Sequence, residues 1–174
     1  MEKTLIVTTL ALIISIISLF LAIYFKNENV QDFFNLISKI PSLSTSDYLE
    51  VEKVEVSYSP PAIALYADCY RLIGYVEEVQ VRSIDNALHG IRDWRPNTHD
   101  VTSDIFKEFG IKLIDVRIEN VTNNAYIAKA IILQGNKIRE VDIRPSDGIA
   151  LALRLNSPIY IRKSLLESHA ERIC

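Results

Sequence analysis

Asp142-Ile143-Arg144-Pro145-Ser146-Asp147-Gly148-Ile149-Ala150-Leu151-Ala152-Leu153-Arg154 decides how this chain folds. It reads as the end of a strand, a sharp polar corner and a buried helix, followed by a short strand at Pro158-Ile159-Tyr160-Ile161. Proline has a fixed φ and no N–H, so Pro145 suits the first turn of a helix. Asp147 then falls where a carboxylate meets free N–H groups and the positive end of the helix dipole. Ile149 to Leu155 is almost wholly apolar and must be buried on most sides. A charged cluster therefore stands at the mouth of a buried helix, as a capped structural joint or as the wall of an active site.

Working outward, the segments before the corner alternate with period two and those between them with helical period. Val51 to Val56, Ala62 to Ala67 and Arg71 to Val76 read as strands, with a turn at Pro60-Pro61 and a hairpin connection at Asp68-Cys69-Tyr70. A helix over Glu77 to His89 follows, with Val81, Ile84 and Leu88 at helical spacing and Gly90 at its C-terminal cap. A second helix opens after Arg95-Pro96-Asn97-Thr98-His99-Asp100 and places Val101, Ile105, Phe106 and Phe109 on one face. Strands over Ile111 to Glu119, Ala125 to Gln134 and Lys137 to Ile143 lead to the corner. Arg162 to Ile173 reads as a final polar helix. The pattern predicts an α+β domain with a mixed sheet and two β-β-β-α-like halves.

Net charge is -3, so a broad basic surface that wraps nucleic acid is not indicated. Cys69 and Cys174 match no metal spacing and no disulfide framework, so free thiols in a cytosol-facing domain are expected. Leu5 to Phe25 is apolar, broken only by Thr and Ser, and long enough to span a bilayer. Its flank lacks a small-x-small cleavage site, which favours an uncleaved anchor over a signal peptide. Residues 4–25 are thus expected to form a transmembrane helix in the lipid bilayer. Residues 26–47 are expected to hold an amphipathic helix (Val30, Phe33, Phe34, Ile37, Ile40) and a linker, and residues 48–174 the globular domain. The expected topology is single-pass, with the C-terminal domain on the cytoplasmic side.

Two clusters could carry chemistry: Arg95, Thr98, His99 and Asp100; and Asp142, Arg144, Ser146, Asp147 and Arg154. Together they offer a titratable imidazole, carboxylates able to hold a divalent ion, and guanidinium groups matched to phosphate. These are the requirements of phosphodiester cleavage. The expected catalytic residues are His99, Asp100, Asp142 and Asp147. Arg95, Thr98, Arg144, Ser146 and Arg154 are expected to bind substrate. Asp142 and Asp147 are the expected ligands of a magnesium or manganese ion. The same residue types also cap helices and form structural ion pairs, which leaves a non-enzymatic, membrane-tethered binding module as the alternative.

These blocks, with Ser83-Ile84-Asp85-Asn86-Ala87-Leu88-His89-Gly90 ahead of the first, resemble the bifunctional nuclease domain family over about Val51 to Leu166. The resemblance implies a compact α+β domain, often a homo-oligomer, that cleaves RNA and DNA. It carries the family motif onto Arg95, Thr98, His99, Asp100, Asp142, Arg144, Ser146, Asp147 and Arg154. Two positions depart from the family pattern: Gln80 stands where an acidic residue is usual, and Gly148 where alanine is usual. A membrane-anchored nuclease is the resulting expectation.

Overall fold

The structure, a computed structural model, describes residues 44–174. The expected membrane span and amphipathic helix lie outside the described residues. Among the described residues no helix is long and apolar enough to cross a membrane.

The described chain is a mixed α+β domain of two sheets and four helices. In order, its elements are β1 (Tyr48–Glu50), β2 (Lys53–Tyr58), β3 (Pro61–Ala67), β4 (Tyr70–Tyr75), α1 (Glu78–Leu88) and α2 (Thr98–Glu108). There follow β5 (Lys112–Thr122), β6 (Ala125–Gln134), β7 (Lys137–Ile143), α3 (Pro145–Leu155), β8 (Ile159–Arg162), α4 (Lys163–His169) and β9 (Glu171–Arg172). One sheet has the order β1-β8-β5-β6-β7, and the other β2-β3-β4-β9. Pairing is antiparallel except between β5 and β8. The two expected β-β-β-α halves are thus present, one in each sheet.

Strand β5 shows how the core is threaded. Leu113 points inward at an odd position, while Val116 and Ile118 are inward at even ones. A register shift between Leu113 and Asp115 inserts the residue that flips the parity, and a second between Ile118 and Asn120 flips it back. Helix α3 lies against the central strands through Ile149, Ala150 and Ala152, all buried. Gly148 permits that approach: a Cβ there would stand 2.7 Å from Val116 Cγ1. The gap is closer than carbon atoms tolerate, so glycine fits here for packing and not for backbone freedom.

Two expectations are corrected. Cys69 and Cys174 form a disulfide, joining the β3–β4 turn to the C-terminal segment. Their separation of 105 residues hid the pairing, because only the fold brings the two ends together. The final helix stops at His169, and Glu171–Arg172 instead pairs with β4, where Arg71 and Glu171 form an ion pair. The apolar stripe of α2 is divided: Val101, Ile105 and Phe109 are exposed, Phe106 packs against the core, and the buried face carries Asp100 and Ser103.

Candidate active site

The N-terminal turns of α1, α2 and α3 contribute side chains to one polar network. Gln80 is the third residue of α1, His99 the second of α2, and Ser146 and Asp147 the second and third of α3. Side-chain caps close the starts of α1 and α2, and the positive dipole ends of the three helices favour a negative charge between them.

Asp147 is the hub. Its Oδ2 accepts from Arg144 Nε at 2.6 Å, and its Oδ1 from Arg144 Nη2 at 3.1 Å. His99 Nε2 lies 3.1 Å from Oδ1. Burial pushes the Asp147 carboxyl up, but the Arg144 and His99 hydrogen bonds outweigh it and hold the carboxyl below its ordinary value. Arg144 is the solvent-facing member, 71% exposed, while the side chains of His99 and Asp147 are mostly covered.

The far side of His99 is held by Ser83. Its Nδ1 lies 2.9 Å from Ser83 Oγ. That oxygen already accepts from Asn97 Nδ2 at 3.4 Å and Arg154 Nη2 at 3.3 Å. Two donors occupy both of its lone pairs, so the Ser83 hydroxyl donates to Nδ1. His99 is therefore the Nε2–H tautomer, and that N–H donates to Asp147. The connectivity Asp147–His99–Ser83 looks like a nucleophilic triad. Ser83, however, is buried in α1 and bound by three partners, which makes it an anchor for the imidazole.

The expected site residues divide. His99, Arg144, Ser146 and Asp147 come together; Ser146 Oγ accepts from Gln80 Nε2 at 3.0 Å. Asp100 serves α2 itself. It shares a reciprocal cap with Asn97 and pairs with Arg154 Nε at 2.7 Å. Burial raises the Asp100 carboxyl, but Arg154 and the Asn97 N–H bring it below its ordinary value. Arg154 is itself buried and also donates to the Ala150 carbonyl, so it braces three helices and does not reach outward to a ligand. Arg95 and Thr98 are exposed; the Arg95 guanidinium lies 5.6 Å from the ring centre of Trp94.

Asp142 is exposed in β7 opposite Lys129, and its side chain forms no hydrogen bond or ion pair with the described residues. The structure does not join it to the Asp147 network, and the expected metal pair is not assembled. Among the described residues no group of three His, Cys, Asp or Glu side chains is placed to hold a metal ion. Magnesium is commonly held by one or two carboxylates plus substrate phosphate. Asp147 alone would be that carboxylate, and both of its oxygens already hold cationic or N–H partners. The donor set does not fit a resident ion.

Ser83 and Gln80 are the members that sequence reasoning missed as parts of the site. A signal existed: two polar residues, three apart, fall on the face of α1 that Val81 and Ile84 carry inward. Gln80 explains its own departure from an acid. Its Oε1 accepts from Glu77 N at 3.0 Å to close the helix cap, while its amide N–H donates to Ser146. One side chain thus ties the start of α1 to the start of α3, a junction that needs both an acceptor and a donor.

Fold and site define an α+β domain with a polar corner where three helices begin. The chain belongs to the bifunctional nuclease domain family, whose model matches residues 70–173. The match starts later than the expected Val51 and extends to the β9 segment. An uncharacterized protein of Mycobacterium tuberculosis is 32% identical over 92 residues, 53% of this chain and 54% of that protein. Bifunctional nuclease 2 of Arabidopsis thaliana is 31% identical over 90 residues, 50% of this chain and 27% of that protein. Bifunctional nuclease 2 of Oryza sativa subsp. japonica is 29% identical over 89 residues, 49% of this chain and 27% of that protein. The chain thus matches about half the length of the mycobacterial protein and about a quarter of the plant ones.

Proposed function

We propose that the protein is a nuclease that hydrolyses phosphodiester bonds of RNA and DNA. The observation that carries this is the exposed Arg144 guanidinium, held on Asp147 by a two-point ion pair and backed by His99 and Ser83. Family membership and the names of the plant relatives support the same reading.

The geometry supplies a sequence of events. An incoming phosphate competes with Asp147 for the Arg144 fork, which suits phosphate as well as carboxylate. As Arg144 turns to the phosphate, Asp147 loses its main cationic partner, and burial then raises its proton affinity. Asp147 accepts a proton from water, the water oxygen bonds to phosphorus, and the ester P–O bond breaks. The departing oxygen takes a proton from solvent. His99, fixed by Ser83, holds Asp147 in place with its Nε2–H throughout. Arg95, with Trp94 beside it, contacts the strand farther along.

The test is cleavage of labelled single-stranded RNA and DNA by the full chain, with and without magnesium or manganese, beside Asp147→Ala. No cleavage above that variant ends the reading. The metal arms measure whether the substrate phosphate brings a divalent ion with it.

A binding module without turnover is the second reading. One observation favours it: both ring nitrogens of His99 are already hydrogen-bonded. Tight phosphate or nucleic-acid binding with no product would establish it.

Membrane anchoring through residues 4–25 belongs to the proposal and rests on the apolar run from Leu5 to Phe25. We propose that the domain faces an oxidising side of that membrane. The Cys69–Cys174 disulfide supports an oxidising compartment rather than the cytoplasm, where glutathione keeps thiols reduced. Self-association into a homo-oligomer is supported by the exposed stripe of Val101, Ile105 and Phe109. Ile105→Glu should then shift the protein to a smaller species in gel filtration.

A further inference from the structure

A cavity of about 580 Å³ opens beside the charged corner, between the two sheets. This lies within the range of roughly 300–1,000 Å³ common to small-ligand pockets. Its floor is apolar: Ile63 and Leu72 come from one sheet, Ile118 and Val121 from the other. Arg144 belongs both to its lining and to the Asp147 network, and the Gln80–Ser146 hydrogen bond lines it beside Asp147, so cavity and corner adjoin.

Two tyrosines shape it. Tyr126 is partly buried, with its hydroxyl donating to the Ile73 carbonyl at 3.3 Å. Tyr75 is 76% exposed although it borders an apolar cavity. A large ring left in water beside such a cavity is a platform on which a flat ligand can stack. Beyond it stands Arg144, whose Nη1 makes no hydrogen bond among the described residues and points to an anionic group on the same ligand. Among ligands that join an aromatic plane to a phosphate, a nucleotide is the one a nuclease handles. A base inside a duplex cannot leave its stack without cost, whereas one on a single strand can. The chain's net charge of -3 also lacks the surplus that holding a duplex by its phosphates would use.

We infer that the cavity receives one unstacked base of a single-stranded nucleic acid while the adjoining phosphate sits on Arg144. This deepens the nuclease reading and rests on it for the word substrate. It makes single strands the preferred substrate class, with selection by the base and not by the sugar–phosphate chain alone.

The full chain is titrated with adenosine monophosphate and with ribose 5-phosphate, which has the phosphate but no base. Adenosine monophosphate should bind about tenfold tighter, the scale of one base–aromatic stack. Gly74→Ile fills the cavity. Gly74 sits in β4 opposite Ile63, and a Cβ there meets the Tyr126 ring at 3.7 Å, an ordinary contact, so the added bulk enters the cavity. This variant should lose the preference for the base. Tyr75→Ala removes the exposed ring without touching the core and should weaken adenosine monophosphate severalfold. Equal binding of the two ligands overturns the inference, as does an unchanged preference in both variants. Displacement of adenosine monophosphate by neither ribose 5-phosphate nor adenosine, but by a medium-chain fatty acid, would also overturn it in favour of a lipid pocket. Cleavage of single-stranded oligonucleotides is scored in parallel. Cleavage by the wild type without base-dependent binding sinks the cavity and leaves the nuclease standing. Base-dependent binding lost in Gly74→Ile, with no cleavage at all, sinks the nuclease and supports the cavity as a nucleotide site.

Discussion

Gly148→Ala is the substitution whose outcome the structure fixes against the ordinary rule. In an exposed helix, alanine is better than glycine by about 1 kcal/mol. Here the new Cβ would lie 2.7 Å from Val116 Cγ1 and 3.4 Å from Ile143 Cγ2. Val116 is fully buried and paired on both sides, with Ala130 in β6 and Ile159 in β8, so it has little room to yield. Overpacking of this kind costs about 1–3 kcal/mol. The net expectation is a loss of about 1 kcal/mol, or ~3–5 °C in melting temperature for a domain this size. Because Gly148 follows Asp147, any retreat of α3 also moves the carboxylate from His99, and activity should fall with stability. Thermal denaturation of the full chain followed by circular dichroism measures the first effect. Val116→Ala supplies the check. Alone it opens a cavity and costs about 2 kcal/mol. Combined with Gly148→Ala it removes the clashing methyl, so the double variant should be less destabilised than the sum, by about 1 kcal/mol. A Gly148→Ala protein that melts higher than wild type, or two losses that simply add, would refute the packing argument.

Arg154→Ala should destabilise by about 3–5 kcal/mol, because it leaves the Asp100 carboxylate buried without its partner; a denaturant midpoint shift under 1 kcal/mol would count against a bracing role. Asp100 and Asp147 both ionise more readily in the folded state than in the unfolded chain. The unfolded chain therefore binds more protons between the two sets of values, so their contribution is present above about pH 4 and is lost as pH falls through the lower folded values. Acid denaturation of Asp100→Asn should accordingly be shallower below about pH 4 than that of wild type. Reduction of the Cys69–Cys174 bridge, or Cys174→Ser, should lower stability by about 2–4 kcal/mol, read as a lower melting temperature with dithiothreitol that the variant no longer shows.

Much of the fold was legible because it follows local rules. Period-two runs became β2 to β7, Gly90 takes a left-handed conformation after α1, and Pro145 opens α3. What escaped depended on distance along the chain. The disulfide and the β4–β9 pair join residues about a hundred apart, and no local pattern announces them. The apolar stripe of α2 obeys helical spacing, yet of it only Phe106 packs on the core, because the polar face carries Asp100 into the Arg154 ion pair. Periodicity tells which residues share a face, not which face is covered. In the site, residue types were readable while roles were not. Asp100 and Arg154 were expected to act on substrate, yet each is the other's buried partner. Ser83 stands in a motif block, but its role of holding His99 shows only in the fold.

The account turns on Asp147 as the acceptor that Arg144 masks and His99 steadies. Cleavage rates of single-stranded RNA by full-length wild type, Asp147→Asn and Arg144→Ala, with melting temperatures taken on the same samples, test it most directly. The prediction is a rate loss of at least about a hundredfold in each variant, the scale of removing a positioned acid–base or phosphate-binding group, with the proteins still folded at the assay temperature. Wild-type cleavage that persists in folded Asp147→Asn would contradict it.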